Sequence, residues 1–166
     1  AIVIFLFILG LLLVKNELRI WILLATIMSL MLAWGKNFMP LTDFFLDYFP
    51  GYNKFRAVSM ILVIAEFTIP LLAFIALNRF LSSNSKFEDL KKLKIAFYTA
   101  GGITLIFALF PNMFLDFLSE KDLTPISSGV KTPDGFLDGL IADRSSLLQS
   151  DSWRSFLFIL LSFGVL

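Results

Sequence analysis

Apolar residues follow one another along this chain in five long blocks, which are separated by shorter polar stretches. The blocks are apolar around the whole helical circumference, whereas a core helix of a soluble protein keeps one polar face. A membrane-spanning helix needs about 17–25 predominantly apolar residues. The pattern therefore predicts an all-α integral membrane protein, a multi-span helical bundle with approximate spans at residues 1–14, 20–34, 57–77, 95–110 and 153–166.

Lys and Arg residues are distributed unevenly between the polar connections. Residues 15–19 and 78–94 hold seven Lys or Arg in 22 positions, whereas residues 35–56 and 111–152 hold six in 64. Because cytoplasmic loops are enriched in Lys and Arg, the first pair is predicted to be cytoplasmic and the second pair extracytoplasmic. The chain is then a multi-pass membrane protein, with the membrane lipid as its first partner.

The outer connections are themselves predicted to contain interfacial helices. Thr42 is a candidate N-cap for a short helix that Pro50–Gly51 would end. The aromatic residues of this segment fall on a face of their own, and Asp43 and Asp47 share another face one turn apart. A helix of this kind is expected to lie flat at the membrane surface. A second amphipathic stripe runs through residues 136–148.

Composition agrees with a membrane protein and excludes several kinds of chemistry. Hydrophobic residues make up 58% of the chain and charged residues only 16%, against about 25% charged residues in soluble domains. The sequence has no Cys and no His, which excludes Ser–His and Cys–His catalytic pairs and zinc sites built on imidazole. The net charge of +1 gives no reason to expect a nucleic-acid partner. Because the first block begins without Met and the last is still apolar at Leu166, we expect an internal piece of a longer chain.

Glu66 is an ionisable residue near the middle of the longest apolar block. Such a group is costly inside a bilayer, so it is expected to face other helices, with either a structural hydrogen bond or a role in an ion, proton or polar-substrate path. Asp43 and Asp47 are candidates for a catalytic acid and base or for holding a divalent cation, and the alternative is a solvated helix face.

Lys54 and Arg56 stand where the chain is predicted to enter the membrane. They either anchor the span by extending to the membrane surface or bind a lipid phosphate, for which the planar fork of Arg is well suited. The first reading needs only their charge and length. The second makes Arg56 the principal phosphate contact.

The segment FPGYNKFRAVSM resembles a motif of the YfhO-like bacterial membrane proteins, whose architecture looks like that of the GT-C glycosyltransferases. The stretches PNMFLDF and ADRSSLLQSDSWRS are also similar to that family. The resemblance implies transfer of a sugar from a polyprenyl-phosphate carrier to an extracytoplasmic acceptor. It also implies a catalytic carboxylate in a first outer loop, outside this sequence, so the motif itself nominates neither Asp43 nor Asp47.

Two hypotheses therefore follow from the sequence. The chain is part of a membrane glycosyltransferase, or it belongs to a non-enzymatic transport or scaffold subunit with a polar path at Glu66. An acidic pair in a first outer loop of the full-length protein would favour the enzyme.

Overall fold

The computed structural model describes residues 1–15, 17–35, 39–48, 58–83, 86–114, 117 and 135–166. These residues are helical and include no strand, which confirms the all-α prediction for this part of the chain. A 3₁₀ turn at Val58–Ile61 leads directly into the fourth helix. The helices in chain order are α1 (Ile2–Leu13), α2 (Glu17–Ala33), α3 (Met39–Tyr48), α4 (Leu62–Leu81), α5 (Lys86–Leu109), α6 (Pro111–Phe114) and α7 (Phe136–Val165).

The chain divides into two compact units. One comprises residues 3–96, and the other comprises residues 97–166 with residues 1–2. In the first unit, α2 packs along α4, and α1 also lies against α4. Its core contains side chains that are completely buried, among them Phe5, Leu9, Leu32 and Leu72.

The junction between α1 and α2 is closed by a side chain. The guanidinium Nη1 of Arg19 donates a hydrogen bond to the carbonyl oxygen of Leu11, at 2.9 Å. This carbonyl belongs to the last turn of α1, where carbonyl groups lack helical partners and the helix dipole favours a cation. Arg19 therefore both ends α1 and fixes the start of α2 against it.

In the second unit, the C-terminal half of α5 contacts α7 through aromatic rings. The ring centroid of Phe97 lies 4.6 Å from that of Phe163 and 6.4 Å from that of Phe156. Polar contacts hold the other half of α7: Gln149 Nε2 donates to the Ala108 carbonyl at 3.0 Å, and Arg144 donates to the carbonyl of Phe117. These contacts fix α7 at both ends of its length.

Among the described residues, two helices are long and apolar enough to cross a membrane, namely Leu62–Leu81 and Phe87–Leu109. At 1.5 Å per residue, α4 is about 30 Å long, which matches the hydrocarbon thickness of a bilayer. The apolar helix Ile2–Leu13 is shorter than a span requires. Residues 136–152, which the sequence pattern assigns to an outer connection, form the first half of the continuous helix α7, and the predicted span 153–166 forms its second half.

Candidate membrane-facing surface and interfacial helix

The contact between α2 and α4 is lined by hydroxyl groups that bond to one another and to backbone carbonyls. Thr26 Oγ1 donates to the Ile22 carbonyl at 2.7 Å, and it lies 2.7 Å from Thr68 Oγ1. Either hydroxyl can be the donor in the bond between the two threonines, because Thr68 Oγ1 also lies within donating distance of a carbonyl of its own helix, that of Ala65, at 3.4 Å. Ser29 Oγ donates to the Ile61 carbonyl at 2.6 Å. We call these three hydroxyl residues the hydroxyl seam.

The side chains of α4 are sorted by size between its two faces. Its buried positions are mostly small, with Ala65, Thr68 and Ala76 among them. Its exposed positions are large, and Phe67 and Phe74 expose 67% and 71% of their surface. A helix in water would bury the phenylalanines, whereas helices in lipid pack through small and hydroxyl side chains and present large apolar ones outward. The sorting therefore fits a lipid-facing helix.

On α2 the sorting by size is only partial, because Ile22 and Leu32 are buried beside two hydroxyl residues. Its buried positions include Thr26 and Ser29, while Trp21 and Leu24 expose 70% and 53% of their surface. At its C-terminal end, α2 borders an apolar groove of about 550 Å³, which also reaches the start of α4 and is lined by Ile27, Leu30, Met31, Ala33, Trp34 and Leu62. An exposed apolar surface of this extent marks a lipid or partner contact in a folded protein.

A hydroxyl group of helix α3 contacts the end of α2. Gly35 has a φ of 50°, in the left-handed region that glycine adopts readily just after a helix end. The Thr42 hydroxyl donates to the Gly35 carbonyl at 3.2 Å. Because α3 already begins at Met39, Thr42 lies inside the helix, and its prediction as the N-cap is wrong. Pro40 is well placed in the first turn, where its missing N–H costs no hydrogen bond.

The exposed part of α3 has an aromatic face and an acidic face. The ring centroid of Phe44 lies 5.7 Å from that of Phe45 and 5.1 Å from that of Tyr48. Phe44 and Tyr48 expose 50% and 73% of their surface. Asp43 and Asp47 are also exposed, and at 100° per residue they lie away from the ring cluster.

No group of three or more acidic residues that could hold a metal ion occurs in the described part of the chain. Asp43 and Asp47 thus form a pair without a third ligand among those residues. Their exposure fits the solvated face that the sequence left open as the alternative. Lys54 and Arg56, the predicted phosphate contacts, lie outside the described residues, as do Pro50 and Gly51.

Glu66 lies on an exposed flank of α4. No helix described here covers it, and the expectation that it faces other helices stays a prediction. Among the described residues, its carboxyl group has no hydrogen bond or ion pair. Pro70 stands four residues later inside the same helix. Since proline has no N–H, the carbonyl of Glu66 loses its usual helical donor.

The sequence patterns missed a close approach of two helices in the first unit, which is at Gly10. A Cβ placed there would lie 2.8 Å from Leu72 Cγ and 2.9 Å from the Leu72 carbonyl oxygen. The adjacent glycines Gly101 and Gly102 of α5 make no comparably close contact. A Cβ at Gly101 would meet only ordinary contacts, the nearest being Phe156 at 3.7 Å, and one at Gly102 would meet nothing within 4 Å.

Comparisons of the chain with protein-family models, with curated proteins and with solved structures find no match. The resemblance to YfhO-like proteins thus depends on the motif residues of this sequence alone.

Proposed function

We propose that this chain is a multi-span region of a bacterial cytoplasmic-membrane protein, with α3 lying in the outer interface. The size sorting of α4 is the observation that supports the proposal best. Most of its buried side chains are small, Thr68 bonds to Thr26 of α2, and large apolar side chains face outward. The hydroxyl seam satisfies its own hydrogen bonds, as buried polar groups must when no water is present.

The orientation in this proposal follows the Lys and Arg distribution. The turn between α4 and α5 is cytoplasmic, and α3 is on the opposite side. The aromatic face of α3 then lies at headgroup depth, where Tyr and Trp are favoured, with Asp43 and Asp47 directed to water. The exposed Trp34, one residue past α2, supplies a further amphipathic ring at that level.

Single-cysteine labelling tests this arrangement, because the chain has no Cys of its own. Cysteines at the exposed positions Asp47 and Glu88 should react with a membrane-impermeant thiol reagent from opposite sides. Spin labels at Asp47 and Tyr48 form a matched pair on neighbouring residues of α3. The label at Tyr48 should be more accessible to oxygen and the label at Asp47 to a water-soluble nickel complex. Reaction of both thiols from one side, or equal accessibility at the two α3 positions, would contradict the proposal.

The activity that we propose for this region is sugar transfer from a polyprenyl-phosphate carrier to an extracytoplasmic acceptor. Its support is the motif FPGYNKFRAVSM, whose N-terminal end directly follows α3. In this proposal α3 fixes the height of the following turn in the interface, and Arg56 contacts the lipid phosphate. Lys54 adds a second, less directional charge. The catalytic carboxylate is supplied by another part of the protein.

Incubation of the purified full-length protein with a polyprenyl-phosphate sugar tests the activity directly. We expect consumption of the lipid-linked sugar in the presence of acceptor. Arg56→Ala should abolish most of it, whereas Asp43→Asn should leave it unchanged, since the exposed acidic face takes no part in the phosphate contact. If the wild-type protein leaves the donor intact under conditions where it is folded, the transferase proposal fails, while the membrane topology stands on its own test.

The transport or scaffold alternative also has one observation in its favour, which is the exposed Glu66. A carboxyl group on the outer flank of a membrane-length helix could line a water-filled path to a neighbouring element. In that case Glu66 would be modified by a water-soluble carbodiimide in intact membranes. We expect no such modification under the transferase proposal.

A further inference from the structure

The first turns of α5 present exposed lysine and apolar side chains together. Phe87 exposes 86% of its surface, and Lys91 and Lys94 are also exposed. At 100° per residue, these three side chains lie within about 60° of one another around the helix. Leu90, which exposes 42% of its surface, borders the same face. We call these four residues the lysine face of α5.

The two lysines of this face have no ion pair in the described part of the chain. A neighbouring lysine, Lys92, is paired instead with the buried Asp89, at 3.6 Å. Glu88 is exposed one turn before Lys91 but forms no ion pair with it. In the two connections predicted to be cytoplasmic, the residues outside the described ranges are uncharged, namely Asn16, Asn84 and Ser85. These connections therefore offer no further carboxylate to compensate the two lysines.

The length of α5 places the lysine face at the boundary between hydrocarbon and headgroups in the topology proposed above. The part of α5 that is long and apolar enough to cross a membrane is Phe87–Leu109. At 1.5 Å per residue, a hydrocarbon layer of about 30 Å takes about 20 residues. Counted back from Leu109, the boundary falls near Leu90, so Lys91 and Lys94 lie at the boundary or about one turn inside it. Lysine side chains at that depth extend toward the headgroups.

An anionic phospholipid matches both properties of this face. Its phosphate attracts the lysine ammonium groups, and its acyl chains contact the apolar side chains beside them. The cytoplasmic leaflet is the one with a negative surface potential. The two cytoplasmic connections carry seven Lys or Arg against three acidic residues, so their charge is complementary to that leaflet. A protein partner would have to place ionised carboxylates against Leu90 at the hydrocarbon boundary, where such groups are costly.

We propose that the lysine face of α5 binds the headgroup of an anionic phospholipid of the cytoplasmic leaflet, with the lipid phosphate between Lys91 and Lys94. Leu90 contacts the upper part of the acyl chains, and Phe87 holds the start of α5 among the headgroups. The proposal rests on the membrane topology proposed above and is independent of sugar transfer.

Quenching of tryptophan fluorescence by brominated lipids measures which lipid lies beside this face. Ile95→Trp places a reporter at an exposed position one turn after Lys91, and Phe74→Trp is a matched reporter at an exposed position of α4. The protein is reconstituted in vesicles of phosphatidylcholine and phosphatidylglycerol, with one or the other lipid brominated in its acyl chains. The three native tryptophans give a background that the unsubstituted protein measures. We expect phosphatidylglycerol to be preferred about fivefold or more at residue 95 and less at residue 74.

Substitutions in the Ile95→Trp background identify the lysines responsible. Lys91→Gln and Lys94→Gln should each lower the preference about fivefold, and replacement of both lysines by arginine should retain it. Lys92→Gln is the control, because it removes the same charge from the same helix but lies about 100° from Lys91 and 160° from Lys94. An equal loss in the Lys92→Gln variant would show an effect of net charge alone and would overturn the proposed site.

The remaining outcomes separate this proposal from the topology on which it rests. Equal quenching by the two brominated lipids at residue 95, or an unchanged preference after both lysines are replaced by glutamine, would overturn the lipid site and leave the topology intact. A reporter at residue 95 that neither lipid quenches would place this part of α5 outside the membrane, and it would overturn the topology as well.

Discussion

Replacing Gly10 by alanine tests whether α1 and α4 approach as closely as the structure indicates. The added Cβ would lie 2.8 Å from Leu72 Cγ, 2.9 Å from the Leu72 carbonyl oxygen and 3.3 Å from Ala76 Cβ. Distances below 3.0 Å do not occur between real Cβ atoms and their neighbours. Because one of the close atoms belongs to the backbone of α4, a rotamer change of Leu72 cannot relieve the clash. The two helices would have to move apart.

The size of the effect follows from two opposing contributions. Overpacking of a well-packed core costs about 1–3 kcal/mol. A Gly→Ala change inside a helix recovers up to about 1 kcal/mol, through the higher helix propensity of alanine. Gly102→Ala is the control, because its Cβ would meet nothing within 4 Å and the substitution has only the favourable contribution. The difference in unfolding free energy between the two variants is therefore expected to be about 1–3 kcal/mol.

Thermal unfolding in detergent, followed by tryptophan fluorescence, measures this difference. For a chain of this length, each kcal/mol shifts the midpoint by about 2–4 °C. Gly102→Ala should unfold at or slightly above the wild-type temperature, and Gly10→Ala several degrees below Gly102→Ala. The reasoning is refuted if the two variants have the same midpoint, since the contact at Leu72 would then have no steric consequence.

Three further predictions concern single contacts. Thr26→Val and Thr68→Val should each lower the free energy of unfolding by about 1 kcal/mol, and the double variant should lower it by less than the sum, because both changes remove the same hydrogen bond. Additive losses would show that the two threonines do not interact. Gln149→Leu should lower the unfolding temperature, since it leaves a carbonyl in the last turn of α5 without its donor, whereas Ser150→Ala, which removes an exposed bond within α7, should not. Arg56→Lys should reduce turnover of a polyprenyl-phosphate sugar about tenfold at unchanged stability, because lysine keeps the charge but lacks the planar guanidinium group of arginine. Full activity of this variant would indicate that Arg56 only anchors the chain at the membrane surface.

The apolar blocks were enough to predict most of the helices. Residues 1–14, 20–34, 57–77 and 95–110 each overlap a described helix, because a continuous apolar run of this length has few alternatives to a helix. The short helix before Pro50 was also anticipated, and it ends at Tyr48. Its start was misjudged, because Thr42 has the composition of an N-cap but bonds to a carbonyl seven residues earlier.

The continuity of α7 could not be read from hydropathy. The chain changes near Trp153 from a mixed polar and apolar stretch to a mostly apolar one. This change favours a surface helix followed by a separate membrane span. Helix continuation depends instead on the absence of a breaker, and no Gly or Pro stands between Gly139 and Gly164. The (i, i+3) pair of Asp151 and Arg154, with 3.9 Å between the charged atoms, is a pairing typical of an uninterrupted helix surface.

The contacts between helices required the structure, because they depend on the register of two helices at once. Nothing in the sequence aligns Thr26 with Thr68, which are 42 residues apart. A usable signal was nevertheless present in α4, where Ala65, Thr68, Leu72 and Ala76 recur at helical spacing and three of the four are small. In a water-soluble helix, such a stripe would be a poor core and would be expected to face outward. In lipid the apolar surroundings give large side chains no reason to be buried, so side-chain size decides which face packs. The same rule leaves Glu66 outside the small-residue stripe, on an exposed flank of the helix.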